Sequence, residues 1–230
     1  MDSLPQELIN AIIDNVPIYS LRSCSLVSKR WRCRSQQRIF NNILITSEHE
    51  ANLWCKNIPQ ESGGISSFVR LVRFVGVPFW DEPALFGRML EGLSSLTVLR
   101  VTRTEIPDKL QDHISRGELG KDINTLVLFF PLCTHATVMS IILSLPNLKE
   151  LAVQGSGLTS EEPLPIHPVA SRGGLLDELH LHGDVDGVGE TLVKSRFMSR
   201  HLNLDLSIPC AQQLIVLSAE IIVELELYGV

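Results

Sequence analysis

A short segment near the middle of the chain, Leu148-Lys149-Glu150-Leu151-Ala152-Val153, shows the spacing from which the architecture can be predicted. In it an apolar residue is followed by two residues of any kind, a second apolar residue, one further residue and a third apolar residue. The same spacing occurs eight times, and successive units start 21 to 29 residues apart. The units are Phe40-Ile43-Ile45, Val69-Val72-Phe74, Leu96-Leu99-Val101, Ile123-Leu126-Leu128, Leu148-Leu151-Val153, Leu176-Leu179-Leu181, His201-Leu204-Leu206 and Ile222-Leu225-Leu227.

Repetition at this interval predicts a parallel sheet built from similar units. The strand signature and most of the intervals are those of leucine-rich repeats. Between the strands, helical patterns are expected around residues 51–58, 84–93, 109–119, 135–145, 188–198 and 211–219. Because strands and helices alternate, we expect an α/β fold in which residues 41–230 form an irregular leucine-rich-repeat solenoid with a curved parallel sheet.

One face of this sheet should be available to a partner, since alternate residues of a strand point to opposite sides and the repeated apolar residues must face the interior. The middle position of the units changes from basic side chains early in the array to acidic ones late in it. Arginine and aromatic side chains often anchor interfaces. We therefore predict that the concave face binds a substrate protein through Arg73, Arg100, Phe129, His180, His182, Asp205, Glu226 and Tyr228. The alternative is a sheet that merely faces water.

The first 40 residues follow a different pattern, which predicts three short helices. Apolar residues recur at helical spacing from Leu4 to Val16, and Pro17 ends the pattern because it has no backbone N–H to continue the hydrogen-bond ladder. A second helix follows, and after a break at Ser28 a third reaches about Arg38. A core this small seldom suffices alone, so the segment should pack on a neighbour or a partner.

This N-terminal segment resembles the F-box motif. The resemblance is carried by Leu4-Pro5-x-Glu7-Leu8, Ile12, Val16-Pro17, Leu21 and Leu26-Val27-Ser28-Lys29-Arg30-Trp31, whose order and spacing agree with the motif over residues 4–40. It implies that residues 1–40 are a docking module for a Skp-type adaptor and, through it, a cullin. It also implies that Leu4, Pro5, Leu8, Ile12, Leu21, Cys24 and Val27 face the adaptor or the seam beneath it, with Trp31 packed behind. The alternative is a generic helical hairpin that packs on the rest of the chain.

Charge divides the chain near the same place. Residues 1–46 hold six basic and three acidic side chains, whereas the rest of the chain holds fourteen and twenty-three. The basic cluster between Lys29 and Arg38 is most simply the solvated face of a helix, with an acidic adaptor as an alternative partner. Because the net charge of the chain is −6, we expect no nucleic-acid partner.

Composition points to the compartment. Five dispersed cysteines without a C-x-x-C pair indicate reduced thiols, and the sequence shows neither a secretory leader nor an apolar run of membrane-spanning length. We expect an intracellular protein, cytoplasmic or nuclear, with no membrane partner.

The residue types that support catalysis do not form a recognisable site. His180, His182 and Asp184 alternate along a strand and its exit, which leaves a metal-dependent enzyme as an alternative. The segment Gly155-Ser156-Gly157 lacks the spacing of a nucleophile elbow, and the glycines of residues 183–189 lack that of a nucleotide-binding loop. We therefore predict no catalytic residue, metal or cofactor.

Together these features predict the non-catalytic substrate-recognition subunit of an SCF-type ubiquitin ligase. The alternative is a leucine-rich-repeat scaffold that binds proteins without any role in ubiquitin ligation and uses the helical segment to cap its first repeat. After the last unit we expect either an open sheet edge or the continuation of a longer array.

Overall fold

A computed structural model of the protein describes residues 4–57, 64–78, 84–106, 121–155 and 174–228. Three helices come first: α1 (Gln6–Asp14), α2 (Leu21–Val27) and α3 (Lys29–Phe40), with a short 3₁₀ helix at Ile18–Ser20. The three predicted helices are therefore confirmed, and α3 continues slightly beyond its predicted end.

An eight-stranded parallel sheet follows, and its strands are hydrogen-bonded in the order in which they occur along the chain. The strands are β1 (Asn42–Ile45), β2 (Leu71–Val75), β3 (Val98–Thr102), β4 (Thr125–Phe129), β5 (Glu150–Gly155), β6 (Leu175–Gly183), β7 (Met198–Asp205) and β8 (Glu224–Tyr228). This arrangement agrees with the predicted α/β fold and parallel sheet. The assignment of the units to a leucine-rich-repeat solenoid stays a prediction.

Helices connect most of the strands. They are α4 (Glu48–Asn57), α5 (Ala84–Glu91), α6 (His135–Ser144), α7 (Asp186–Lys194) and α8 (Ala211–Ser218), and a 3₁₀ helix at Ile65–Phe68 precedes β2. The helix expected around residues 109–119 lies outside the described residues, and so does Ser156 of the segment Gly155-Ser156-Gly157. The other five predicted helices are confirmed to within a few residues at each end.

The apolar residues of the repeat units form one core between the sheet and the helices. On the strands the buried residues include Ile43, Val72, Leu99, Leu126, Leu151, Leu179 and Leu202. Leu85 of α5, Ile142 of α6, Leu192 of α7 and Leu214 of α8 belong to the same cluster. Because all these helices share one core with one side of the strands, the other side of the sheet is left as an open face, the name used below.

One predicted repeat unit is wrong. The sequence pattern placed the seventh unit at His201-Leu204-Leu206, but Leu202 pairs with Leu179 and Leu204 with Leu181. The unit is therefore Ser199-Leu202-Leu204, two residues earlier. The same shift corrects one predicted contact residue, Asp205. The middle position of its unit is occupied by Asn203, and Asp205 instead follows the last leucine of the unit, where it pairs with Tyr228.

The register of β7 follows from a buried serine. Ser199 is fully buried, its backbone N–H donates to Ser218 Oγ at 3.1 Å, and its hydroxyl donates to the carbonyl of His201 at 2.9 Å. Leu206, the third leucine of an alternating run, stays 39% exposed. Leucines at 202, 204 and 206 fit either register, and the pairing observed gives hydrogen-bond partners to both the backbone N–H and the hydroxyl of the buried serine.

Four of the strands end at a residue with a left-handed backbone conformation. Gly76, Arg103 and Phe130 directly follow β2, β3 and β4, Gly183 is the last residue of β6, and all four have positive φ angles, between 47° and 72°. Arg103 and Phe130 adopt this conformation although they are not glycines, and the Arg103 guanidinium lies 5.8 Å from the centre of the Phe130 ring. The left-handed backbone conformation costs a residue other than glycine about 1 kcal/mol. Arg103 and Phe130 adopt it because the packing of the neighbouring strands requires it.

Candidate functional site

The helical module has a small core of its own. Ile9, Ile13 and Leu21 are buried, and Val16, Trp31 and Ile39 pack against them. These residues form a cluster separate from the core under the sheet. Leu21, predicted to face the adaptor or the seam beneath it, lies in this core, and Trp31, predicted to pack behind, packs against it.

Arginines of α3 fasten α1 to this core. Arg38 donates through Nη1 to the carbonyls of Ile13 and Val16, at the C-terminal end of α1. Arg34 holds the Asp14 carboxylate with two bonds, Nε to Oδ1 at 2.7 Å and Nη2 to Oδ2 at 2.8 Å. The hydrogen bond from Arg34 keeps the pKa of Asp14 below its ordinary value.

The other end of α1 is held in the same way. Arg30 Nη2 donates to the carbonyl of Leu4 at 2.6 Å, and Arg30 Nε donates to Gln6 Oε1 at 3.2 Å. Gln6 returns a bond through Nε2 to the carbonyl of Arg30 at 3.2 Å. The basic cluster is therefore not merely a solvated face. Three of its arginines, Arg30, Arg34 and Arg38, form hydrogen bonds to α1 and the residues at its ends.

The outer surface of the module exposes several large apolar side chains. Leu4, Leu8 and Ile12 follow one another at four-residue intervals and are between 42% and 52% exposed. With the still more exposed Ile18, Tyr19, Leu26 and Val27, they form what we call the apolar patch. These seven are among nineteen large exposed apolar side chains in the described residues, although they come from only the first 27 positions. Exposed apolar surface at this density marks an interaction site.

The residues predicted for the adaptor-binding site differ in their exposure. Leu4, Pro5, Leu8, Ile12 and Val27 are exposed, Cys24 is half-buried, and Leu21 and Trp31 lie beneath. Three members of the apolar patch were not predicted, namely Ile18, Tyr19 and Leu26. The adjacency of Leu26 and Val27 was the available signal, because neighbouring helical residues point about 100° apart and cannot both enter a narrow core.

The N-terminal part of the open face is basic and aromatic. Arg73 of β2 and Arg100 of β3 pair directly in the sheet register. Arg73 Nε is buried and has no hydrogen-bond partner among the described residues. Phe129 of β4 is 36% exposed. Three of the predicted substrate-binding residues therefore line neighbouring strands on one side of the sheet.

The C-terminal part of the open face carries a connected polar network. Asn203 Nδ2 donates to Glu226 Oε2 at 2.7 Å, and the Tyr228 hydroxyl donates to the same oxygen at 3.0 Å. The ring of Tyr228 lies edge-on to that of His182, with centroids 5.4 Å apart. Beside it, Asp205 accepts a bond from the backbone N–H of Ser207 at 2.9 Å, which lowers the pKa of Asp205.

Two histidine–glutamate pairs complete this region. His180 Nε2 lies 3.4 Å from Glu178 Oε2, and His201 Nδ1 lies 3.2 Å from Glu224 Oε2. The carboxylates on strands β5 to β8 of this face are Glu150, Glu178, Asp205, Glu224 and Glu226. The predicted change from basic to acidic along the sheet therefore persists in the corrected register.

The structure offers no support for metal chemistry at His180, His182 and Asp184. Across the described ranges, no three His, Cys, Asp or Glu side chains come together as a metal ion would require. In the same part of the chain, no helix combines the length and apolarity needed to cross a bilayer.

Comparison with known families identifies the helical module. Residues 1–42 match the family model of the F-box domain, a span that contains α1 to α3, their small core and the apolar patch. Among curated proteins the sequence comparison finds no match. The N-terminal part of the chain is therefore an F-box domain, which supports the predicted F-box protein.

Proposed function

We propose that this chain is the substrate-recognition subunit of an SCF-type ubiquitin ligase acting inside the cell. Its F-box domain docks on a Skp-type adaptor, which links it to a cullin, and the open face of its sheet holds the protein to be modified. The observation that carries this proposal is the apolar patch on a domain matched to the F-box family.

The packing of the module explains why a partner is expected there. Among its described apolar side chains, Ile9, Ile13 and Leu21 alone are buried, while seven large ones remain in contact with water. Burying a leucine-sized side chain completely is worth about 1.5–3 kcal/mol. An adaptor that covers the patch would thus supply stabilisation that the module's own small core lacks.

The open face suits a second partner of mixed charge. Arg73 and Arg100 at one end would pair with acidic groups, and the glutamates of strands β5 to β8 would pair with basic ones. A target with acidic groups at one end and basic groups at the other can bind the open face in only one orientation, because the reverse orientation places like charges together. Exchanging the charges with Arg100→Glu and Glu226→Lys should abolish recovery of ubiquitinated targets while adaptor binding stays at the wild-type level.

The chain itself would form and break no bonds in this role. By holding a target lysine near a conjugating enzyme, it raises the effective concentration of the reacting groups, and the catalytic residues belong to other subunits. This account requires two simultaneous contacts, one on the F-box domain and one on the sheet.

Direct binding to a purified Skp-type adaptor tests the proposal. We expect the wild-type chain to bind and a Pro5→Ala, Leu8→Asp double variant to bind at least about a hundredfold more weakly, because an aspartate would be buried in an apolar contact. Leu53→Asp is the matched control, since Leu53 is 44% exposed on α4, outside the F-box domain. Circular dichroism would establish that each variant is folded.

A second function is favoured by one observation, the continuity between the module and the sheet. Helix α3 is followed directly by β1, and the Asn41 carbonyl accepts the backbone N–H groups of Arg70 and Leu71, each at 3.0 Å. The module is therefore built onto the first edge of the sheet, as a cap would be. A folded wild-type chain that fails to bind the adaptor would favour this scaffold role and remove ubiquitin ligation from the account.

A further inference from the structure

A cavity of about 870 Å³ lies where the F-box domain meets the start of the sheet. Its lining comes from α1 and α3 on one side and from the residues around the start of β2 on the other. This volume is within the range of small-molecule sites, which is about 300–1,000 Å³. Of the apolar patch, only Ile18 lines the cavity, and the cavity does not include the predicted contact residues of the open face.

The charged groups of the cavity favour an anion. Arg34, Arg38 and Arg70 line it together with a single carboxylate, that of Asp14. Both oxygens of Asp14 are held by Arg34, so this pair is neutral overall. The two remaining guanidinium groups leave two positive charges without a carboxylate partner among the described residues.

Those two arginines keep donors available. Arg38 uses Nη1 on backbone carbonyls of α1, and Arg70 uses Nη1 on the carbonyl of Ser95 at 3.0 Å. These acceptors carry no formal charge, and the remaining N–H groups of both side chains bond to no described residue. A guanidinium presents its donors in a planar fork that matches the oxygens of a phosphate group.

Neutral groups extend the site. The exposed side-chain amides of Asn41 and Asn42 line the cavity and make no hydrogen bond to a described residue. Ile18 and Phe68 supply apolar wall to the same space. The cavity therefore combines donors for an oxyanion with surface for the carbon skeleton that carries it.

We propose that this cavity binds a small molecule bearing a phosphate group. The phosphate lies between Arg38 and Arg70 and accepts bonds from the side-chain amides of Asn41 and Asn42, while the rest of the molecule packs on the apolar wall. Because the lining comes from both parts of the chain, the occupant bridges the F-box domain and the sheet and stabilises their junction.

Calorimetric titration of the full chain with phenyl phosphate, at constant ionic strength, tests this site. We expect saturable binding that weakens about tenfold in Arg70→Gln, which removes an exposed side chain. Asn42→Asp should weaken binding similarly, because it adds a negative charge to the cavity while removing no hydrogen bond to a described residue. Arg32→Gln, on the same helix as Arg38 but outside the cavity, should bind as the wild type does.

Three results would overturn the proposal. The first is no saturable binding by the folded wild-type chain, and the second is equal binding by the wild type, Arg70→Gln and Asn42→Asp. The third is tighter binding of a phosphoserine peptide than of phenyl phosphate with the same variant dependence, which would assign the cavity to a phosphoprotein. Inorganic phosphate should bind more weakly than phenyl phosphate, since it cannot contact Ile18 and Phe68; equal affinities would refute the apolar part of the site. The titration needs no adaptor, so its result is independent of the proposed ligase role.

Discussion

Replacing Arg38 by glutamine should release the C-terminal end of α1 from the F-box domain. In the native protein Arg38 Nη1 donates to the carbonyls of Ile13 and Val16. The Ile13 carbonyl also accepts the backbone N–H of Val16 at 3.0 Å, whereas the Val16 carbonyl lies past the end of α1. A hydrogen bond from a charged donor contributes about 1.5–3 kcal/mol. Because both bonds share one nitrogen and glutamine can retain one of them, we expect a net loss of about 2 kcal/mol.

The loss should be confined to the helical module. Its buried core is limited to Ile9, Ile13 and Leu21 and is separate from that of the sheet. Local opening of α1 should therefore become easier without a matching change in the sheet. Hydrogen exchange measures this directly: a change of about 2 kcal/mol accelerates exchange of the α1 amides about thirtyfold.

Arg32→Gln is the matched control for this prediction. Arg32 also belongs to α3, but among the described residues its side chain makes one hydrogen bond, a 3.5 Å contact from Nε to the carbonyl of Ser25 on the exposed surface. We expect its effect on α1 exchange to stay within about 0.5 kcal/mol. The reasoning would be refuted if α1 exchanged at the wild-type rate in Arg38→Gln, or if sheet amides were accelerated as much as those of α1.

Two further predictions concern a strand exit and a surface ion pair. Gly183→Ala should destabilise the protein by about 1–3 kcal/mol more than Gly76→Ala. Both positions have positive φ, but only at Gly183 would the new Cβ come to 2.5 Å from a backbone atom, the Gly155 carbonyl oxygen. Urea unfolding measures the free energy of unfolding of both variants, and equal losses would contradict the steric account. Since Arg34 depresses the pKa of Asp14, this carboxylate stabilises the fold above its unfolded value of about 3.8 and ceases to do so as the pH falls through its lower folded value. The melting temperature of Asp14→Asn should therefore fall less than that of the wild type on acidification below about pH 4, and parallel curves would contradict the assignment.

The register of β7 shows where sequence patterns stop being informative. Leucines at 202, 204 and 206 satisfy the repeat spacing in two ways, and the predicted unit, His201-Leu204-Leu206, is two residues out of register. The structure prefers the register in which Ser199 is buried, since Ser218 and the His201 carbonyl satisfy its hydrogen bonds. The Ser218 hydroxyl and the His201 carbonyl are polar groups, which a pattern of apolar residues does not include. Only the packed structure could therefore reveal these hydrogen bonds.

The surface of α1 shows the same limit in the F-box domain. Leu4, Leu8, Ile9, Ile12 and Ile13 belong to one apolar stripe in the sequence, which indicates an amphipathic helix but not which residues are covered. Packing of α3 covers Ile9 and Ile13 and leaves the other three exposed. The arginines that fasten α1 were equally hidden, because their acceptors are mostly backbone carbonyls, which every residue possesses.

The sequence by itself determined the three N-terminal helices, the parallel sheet and its change of charge, because apolar spacing and residue type are local properties that the backbone periods of helix and strand convert directly into faces. The F-box resemblance was readable for the same reason, since a short motif keeps its spacing. Only the tertiary structure decided the register of β7, the division of α1 into a covered and an exposed side, and the cavity that Arg38 and Arg70 share. Those features depend on contacts between residues far apart in the chain, which are established when the packed structure satisfies its buried polar groups.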